Sequence, residues 1–231
     1  MDKALKQSML AYYDERASEY DEIDTLGTGS TAINAPSAYQ EETTILQRVV
    51  NEVCAGDILD IPCGTAFWLP SYAQGCTTAL LVDQSASMLD ESRRRARQAG
   101  VADRCQFLQC DIFDSAWPHQ RFDVVLMGFF ISHLTTEEEA RILARLRNSL
   151  KPNGKFLVLD SAWSTGRART RVKEGEQMRR LNNGTEFPIY KKYFERRDIE
   201  AIGTQHQCEV TIHHFGRTFC AFSGNMVPGT Q

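Results

Sequence analysis

Five short apolar runs, each closing on an aspartate or a glycine, constrain this chain more than any other feature. They cover residues 57–61, 77–82, 105–110, 122–127 and 155–159, and Asp60, Asp83, Asp111, Gly128 and Asp160 stand at or beside their C-terminal ends. Strands apolar on both faces are buried on both faces, and they belong to parallel sheets covered by helices on either side. The segments between them have the matching period. Residues 3–24 place Leu5, Met9, Leu10, Tyr13 and Ala17 on one helical face, and residues 37–54 place Ile45, Leu46, Val49, Val50 and Val53 on another. Ser37 with Gln40 reads as a capping box for that second helix. Residues 66–74 read as a short helix, 85–99 as a longer one stopped by Gly100, and 136–150 as a helix capped by Thr135 with Glu138 in the box position. Lys151-Pro152-Asn153-Gly154 reads as a turn, residues 25–36 as a loop of small residues, and residues 209–215 and 217–223 as a tight antiparallel hairpin. Right-handed crossovers bring the C-terminal ends of parallel strands to one edge, which is where open α/β sheets bind their ligands.

The 231 residues show no repeat and no low-complexity linker, so one domain, 1–231, is expected. With 42% hydrophobic and 24% charged residues the chain is neither disordered nor fibrous. A formal net charge of −4 argues against a nucleic-acid partner. No stretch approaches the ~20 apolar residues of a membrane span, and residues 1–13 lack the apolar core of a secretory signal. Seven cysteines without a C-x-x-C pair suit reduced thiols in a cytoplasmic protein better than disulfides, and no metal site is expected.

The chemistry concentrates at the strand ends. Ile58-Leu59-Asp60-Ile61-Pro62-Cys63-Gly64-Thr65-Ala66 is a strand and a turn whose glycine permits close backbone approach of a ligand. Asp83 stands nineteen residues beyond Gly64, at the end of the second strand, where a carboxylate can accept from both hydroxyls of a ribose. Asp111, ending the third strand, can accept from an exocyclic amine such as that of adenine. Turn, ribose carboxylate and amine acceptor on three successive strands describe a nucleoside ligand. The G-x-G-x-x-G fingerprint of the dehydrogenases is absent.

With these residues in place, the chain resembles the class I S-adenosylmethionine-dependent methyltransferases from Tyr12 to about Ser223. Residues 58–66 resemble the family's first motif, Leu80 to Asp83 its ribose motif, and Cys110-Asp111-Ile112-Phe113 its adenine-side motif. Phe122 to Leu134 resembles its fourth-strand motif, Leu150 to Leu159 the turn and strand that follow, and Tyr12 to Asp21 the helix covering the cofactor. Pro62 and Ala66 stand where the family usually has glycine. The resemblance implies an α/β, Rossmann-like three-layer sandwich, with a seven-stranded, mainly parallel sheet and one antiparallel strand in a C-terminal hairpin. It implies S-adenosylmethionine as cofactor, held by Asp60, Cys63, Gly64, Thr65 and Gly128 at the methionine end. Asp83 would take the ribose, and Gln84, Met88, Asp111 and Ile112 the adenine. Tyr13, Arg16 and Tyr20 would close over the methionine carboxylate, within a covering segment of residues 1–36.

Transfer of an activated methyl group needs a base only when the nucleophile cannot shed its proton unaided. His133, just past the fourth strand, is the candidate base, with packing ahead of the next helix as its alternative. Phe129, Phe130, Trp163 and Arg179 are candidate lining for an acceptor pocket, capped by residues 161–200. Residues 165–200 carry ten Lys/Arg against six acids. The arginines of the stretch from Arg167 to Arg180 can pair with a carboxylate or phosphate on an acceptor, although a solvated helical face is the plainer reading. The function expected is methyl transfer to an O, N or C atom of a small-molecule acceptor, by a monomer or homodimer. A protein or RNA methyltransferase and a non-catalytic nucleoside-binding protein are the alternatives. The acidic charge and the absence of an N-P-P-Y-type motif after the fourth strand disfavour the former.

Overall fold

Strand residues of this chain alternate between two apolar layers, and that alternation builds the molecule. The computed structural model describes residues 1–22, 26, 36–113 and 117–226. Apart from Leu26 and Pro36, the loop expected at residues 25–36 lies outside them. Five parallel strands, β1 (Gly56–Asp60), β2 (Cys76–Asp83), β3 (Cys105–Gln109), β4 (Phe122–Gly128) and β5 (Leu150–Ser161), join the hairpin β8 (Cys208–Phe215) and β9 (Phe219–Met226). They form one seven-stranded sheet in the order β3-β2-β1-β4-β5-β9-β8, with β9 antiparallel to β5. Ile58, Leu81, Val124 and Leu157 face one layer, and Leu59, Leu80, Val125 and Val158 face the other. The first layer is closed by α2 (Pro36–Val53), through Tyr39, Leu46 and Val50, and by α4 (Ala86–Gln98), through Leu89 and Ala96. The second is closed by α5 (Thr136–Ser149), through Ile142, Leu143 and Leu146, and by α7 (Arg196–His206), through Ile199 and Ile202. β3 departs from the expected two-sided burial: it is an edge strand, largely exposed except where α4 crosses it.

Local signals held where the backbone alone decides them. Thr135 and Glu138 form a reciprocal capping box, and Gly100 ends α4 at a φ of +68°. Helix α1 spans Lys3–Arg16, shorter than expected, because turns begin at Ala17. α2 starts at Pro36, so Ser37 lies inside the first turn and does not cap it; proline suits that place because its missing N–H has no partner to lose there. The helix expected at residues 66–74 is reduced to α3 (Leu69–Tyr72). The expected turn at Lys151–Gly154 is a bulge within β5: Leu150 pairs with Phe122 and Lys155 with Val124, so the residues between loop out opposite Asp123. Lys151 there bridges Asp57 at 2.7 Å and Asp123 at 2.8 Å.

The largest correction concerns residues 165–200. They hold one short helix, α6 (Thr165–Ala168), the first residues of α7, and a separate antiparallel hairpin, β6 (Glu174–Arg180) with β7 (Glu186–Lys192), so that strand β6 stands in the stretch from Arg167 to Arg180 where a helical face was the plainer expectation. Gln177 and Arg179 alternate inward along β6, and Ile189 and Lys191 along β7. The hairpin packs against α1, where Tyr12, Leu181 and Ile189 form a small core of their own.

Candidate functional site

The C-terminal edge of the sheet opens into a cavity of about 480 Å³ that runs beneath α1. Its lining includes fifteen of the residues singled out in the sequence: Tyr13, Tyr20, Asp60, Cys63, Gly64, Thr65, Asp83, Gln84, Met88, Asp111, Ile112, Gly128, Phe129, Phe130 and His133. Strand β1 delivers Asp60, strand β2 Asp83, and the segment after β3 Asp111. Gly64 has a φ of +53°, and a side chain there would meet only the Tyr20 ring at 3.8 Å. The left-handed backbone, not crowding, therefore calls for glycine. At Gly128 the reason is reversed, since a Cβ would lie 2.9 Å from the Trp68 indole nitrogen.

Three carboxyl groups of this cavity differ in their ties. Asp83 is buried and accepts from the Gly64 N–H at Oδ2 and from the Ser85 N–H at Oδ1, both at 2.9 Å. Each oxygen keeps a further lone pair, and burial raises its pKa against these donors. Asp60 is fully buried, accepts from the Tyr72 hydroxyl at 2.9 Å, and is pushed up to about 8 by desolvation. Asp111 accepts the Phe113 N–H at 2.8 Å.

The N-terminal segment is fastened over the cavity by polar contacts. Ser85 caps α4 and also donates to Asp14 at 2.6 Å. Thr65 donates to Asp21 at 2.7 Å, and Arg95 pairs with the same carboxylate. Arg16 stacks its guanidinium over the Tyr12 and Tyr20 rings.

His133 stands in a short helical turn after β4. Its Nδ1 lies 2.8 Å from the Tyr190 carbonyl oxygen, which only accepts, so Nδ1 carries the proton and Nε2 is the acceptor. The Tyr13 hydroxyl donates to Nε2 at 2.7 Å. Burial first, then the neighbouring Lys191, holds the His133 pKa well below the usual histidine value, so the ring is neutral at pH 7. Phe129, beside it, has a φ of +54°, a backbone conformation costly for a residue with a Cβ, and strain of this kind gathers at functional sites.

Behind Tyr13, Tyr20, Phe129 and His133 lies a second cavity of about 60 Å³, which shares these four residues with the first. Arg16 and Arg179 line it, as do Arg167, Lys191 and Tyr193, which the sequence reading did not single out. The available signal was the two-residue alternation of Gln177 with Arg179 and of Ile189 with Lys191. Trp163, expected in the acceptor pocket, lines neither cavity; its ring packs on Tyr193 at 5.8 Å because its backbone N–H is tied to the Phe194 carbonyl. Among the described residues no group of three or more His, Cys, Asp or Glu could hold a metal ion, and no helix is long and apolar enough to cross a membrane.

Comparison with known proteins finds methyltransferases by sequence and by fold. A methyltransferase-domain family model matches residues 58–154. The chain is similar to the ubiquinone/menaquinone biosynthesis C-methyltransferase UbiE of Ectopseudomonas mendocina, 37% identical over 106 residues, which are 45% of this chain and 41% of that one. Its counterpart in Pseudomonas fluorescens is 34% identical over 118 residues, 50% of this chain and 45% of the relative. The matched stretch thus spans less than half the length of these curated relatives. Among solved structures, DhpI in complex with SAH superposes with a TM-score of 0.77 at 22% identity, covering 99% of this chain and 100% of that one. A S-adenosylmethionine-dependent methyltransferase of Clostridium acetobutylicum superposes with a TM-score of 0.62 at 14% identity, over 93% of this chain and 99% of that one. At such identities these structures establish the shared fold.

Proposed function

We propose that this chain is a class I S-adenosylmethionine-dependent methyltransferase that transfers a methyl group from S-adenosylmethionine to an O, N or C atom of a small-molecule acceptor. The observation that carries the reading is the ordered set of carboxyl groups at one sheet edge, Asp60, Asp83 and Asp111, around a cavity of about 480 Å³. The residues fit the cofactor. Asp83 retains a lone pair on each oxygen for a diol, and Asp111 accepts from the adenine amine. Asp60 is a buried carboxyl group whose hydrogen bond in the cavity is the neutral Tyr72 hydroxyl, a setting that favours a cation such as the ammonium of the methionine end. Gly64 lets the ligand lie against the backbone. Bound there, S-adenosylmethionine supplies a methyl group on a positively charged sulfur, which leaves with the electron pair of the broken bond.

The rest of the work falls to the chain's own groups. Tyr13, Tyr20, Phe129 and His133, which border both cavities, hold the acceptor and exclude water, so that the two reactants meet in line. His133 is the proton acceptor at Nε2 for an acceptor that brings a proton. Its tautomer is set by Tyr190, and Tyr13 occupies the position from which a proton would arrive. Residues 1–22 cover the cofactor, and the β6–β7 hairpin closes the acceptor side.

The test is thermal unfolding with S-adenosylhomocysteine, with NAD alongside. A ligand at about 100 times its Kd stabilises by about 2.7 kcal/mol. Stabilisation by S-adenosylhomocysteine alone, lost in Asp83→Ala, is the expected result; no stabilisation at millimolar concentration overturns the reading.

A further inference from the structure

Among the described residues, the inner cavity is lined by Arg16, Arg167, Arg179 and Lys191 and by no carboxylate. Arg167 and Arg179 are each 2% exposed, and Lys191 is 6% exposed. Lys191 has a counter-charge, for its Nζ lies 3.3 Å from Asp160. That carboxylate is already engaged by the Ser132 and Ser161 N–H groups. Arg167 and Arg179 have no carboxylate within ion-pair distance among the described residues. Arg167 donates to the Thr218 carbonyl at 2.8 Å and stacks over the Tyr193 ring. Arg179 donates to the Tyr193 hydroxyl at 3.1 Å and to the Gln177 amide oxygen. The Nε atom of each is buried without a hydrogen-bond partner.

Two buried guanidinium groups with neutral partners and idle N–H donors are costly to keep. Their cost is offset when an anion enters, because a guanidinium presents parallel donors to oxyanions and the interaction strengthens away from water. The chamber of about 60 Å³ takes a compact head group. It shares Tyr13, Tyr20, Phe129 and His133 as walls with the cavity in which the acceptor is held.

We propose that Arg167 and Arg179, with Lys191, form an oxyanion subsite that receives a carboxylate or phosphoryl group of the acceptor and so sets the class of molecule this enzyme methylates. This rests on the methyltransferase reading for the word acceptor, but the anion site stands on its own geometry. An anion there also neutralises the cations that face His133, so an anionic acceptor makes its own proton acceptor more basic as it binds.

The experiment titrates sodium phosphate and sodium acetate, against sodium chloride at equal ionic strength, into the full chain with and without saturating S-adenosylhomocysteine, followed by calorimetry and thermal unfolding. Phosphate or acetate is expected to bind and to raise the unfolding temperature where chloride does not, and the better of the two names the head group. Arg179→Met and Arg167→Met should each weaken that anion by about ten- to a hundredfold, the size of one lost charge-assisted hydrogen bond. Both should still bind S-adenosylhomocysteine, which reports that each variant is folded. S-adenosylhomocysteine binding without any anion effect in the unsubstituted protein overturns the subsite. Anion binding without S-adenosylhomocysteine binding keeps the subsite and removes the methyltransferase reading.

Discussion

The two cavities meet at Tyr13, Tyr20, Phe129 and His133 and differ in charge: acids and bases mix in the lining of the outer one, with Lys3, Lys6 and Arg141 near its mouth, whereas the charged residues of the inner one are all cationic. The outer one is built at strand ends and presents Asp60, Asp83 and Asp111; the inner one is roofed by a hairpin and presents arginines and a lysine. A strand end in a parallel sheet is set by the whole core; there Asp83 and Asp111 are tied to backbone N–H groups and Asp60 to the Tyr72 hydroxyl. The hairpin has a core of three buried residues, Tyr12, Leu181 and Ile189, and meets the main body through α1 and the turn holding His133. In the proposed function the sheet edge holds the cofactor and the hairpin side holds the acceptor, the part of such a reaction that varies.

Glu42 gives the sharpest contrast with the functional carboxylates and the largest expected effect. It accepts from His214 and from the N–H groups of Arg217, Thr218 and Phe219, holding the β8–β9 turn that carries Phe219 into the inner cavity. Glu42→Ala should destabilise by about 3–5 kcal/mol in chemical denaturation, because it strands several buried donors. These hydrogen bonds, working against burial, lower its pKa from 4.5 to about 2. A lowered folded-state pKa means the contribution is complete above about 4.5 and lost as pH falls toward 2, a window absent from the variant.

Asp83→Ala should weaken S-adenosylhomocysteine by about 1.5–3 kcal/mol, or roughly ten- to a hundredfold, by calorimetry; an unchanged affinity would remove Asp83 from the site. The inner cavity predicts the opposite sign for stability. Arg179→Met should stabilise the ligand-free protein by about 1–2 kcal/mol, since it replaces a buried cation lacking a counter-charge with an apolar chain. Destabilisation of that size would make Arg179 a structural residue and erase the contrast.

Asp60, pushed up to about 8 by burial, is protonated at neutral pH in the ligand-free protein. A raised folded-state pKa means its contribution to stability is complete below the ordinary carboxylate range and lost as pH rises through 8. A cationic ligand reverses this by preferring the ionised form. Affinity for S-adenosylhomocysteine should therefore rise by about tenfold between pH 7 and pH 9, and Asp60→Asn should flatten the profile. The smallest effect is expected at Ala66, which holds a φ of +54° where glycine is usual in the family. Ala66→Gly relieves that backbone but removes a buried methyl group and loosens the unfolded chain, so stability should move by less than about 1 kcal/mol.

The amino-acid sequence by itself determined the parallel sheet, its C-terminal hairpin, the cap at Thr135, and the strand-end row of Asp60, Asp83, Asp111 and Gly128. Each depends on local period or on a turn, which neighbouring residues encode. The sequence also placed His133 beside the site, but not its tautomer, which a carbonyl 57 residues away settles. Only the tertiary structure decided the inner cavity. The sequence offers Arg179 as pocket lining, but Arg167 and Lys191 are separated from it along the chain and look like further charges in a basic stretch. They become a buried cluster only when the β6–β7 hairpin pairs across residues 174–192 and α1 covers it. The physical reason is range: strand and cap signals act over a few residues, whereas the burial of a charge depends on every segment packed around it.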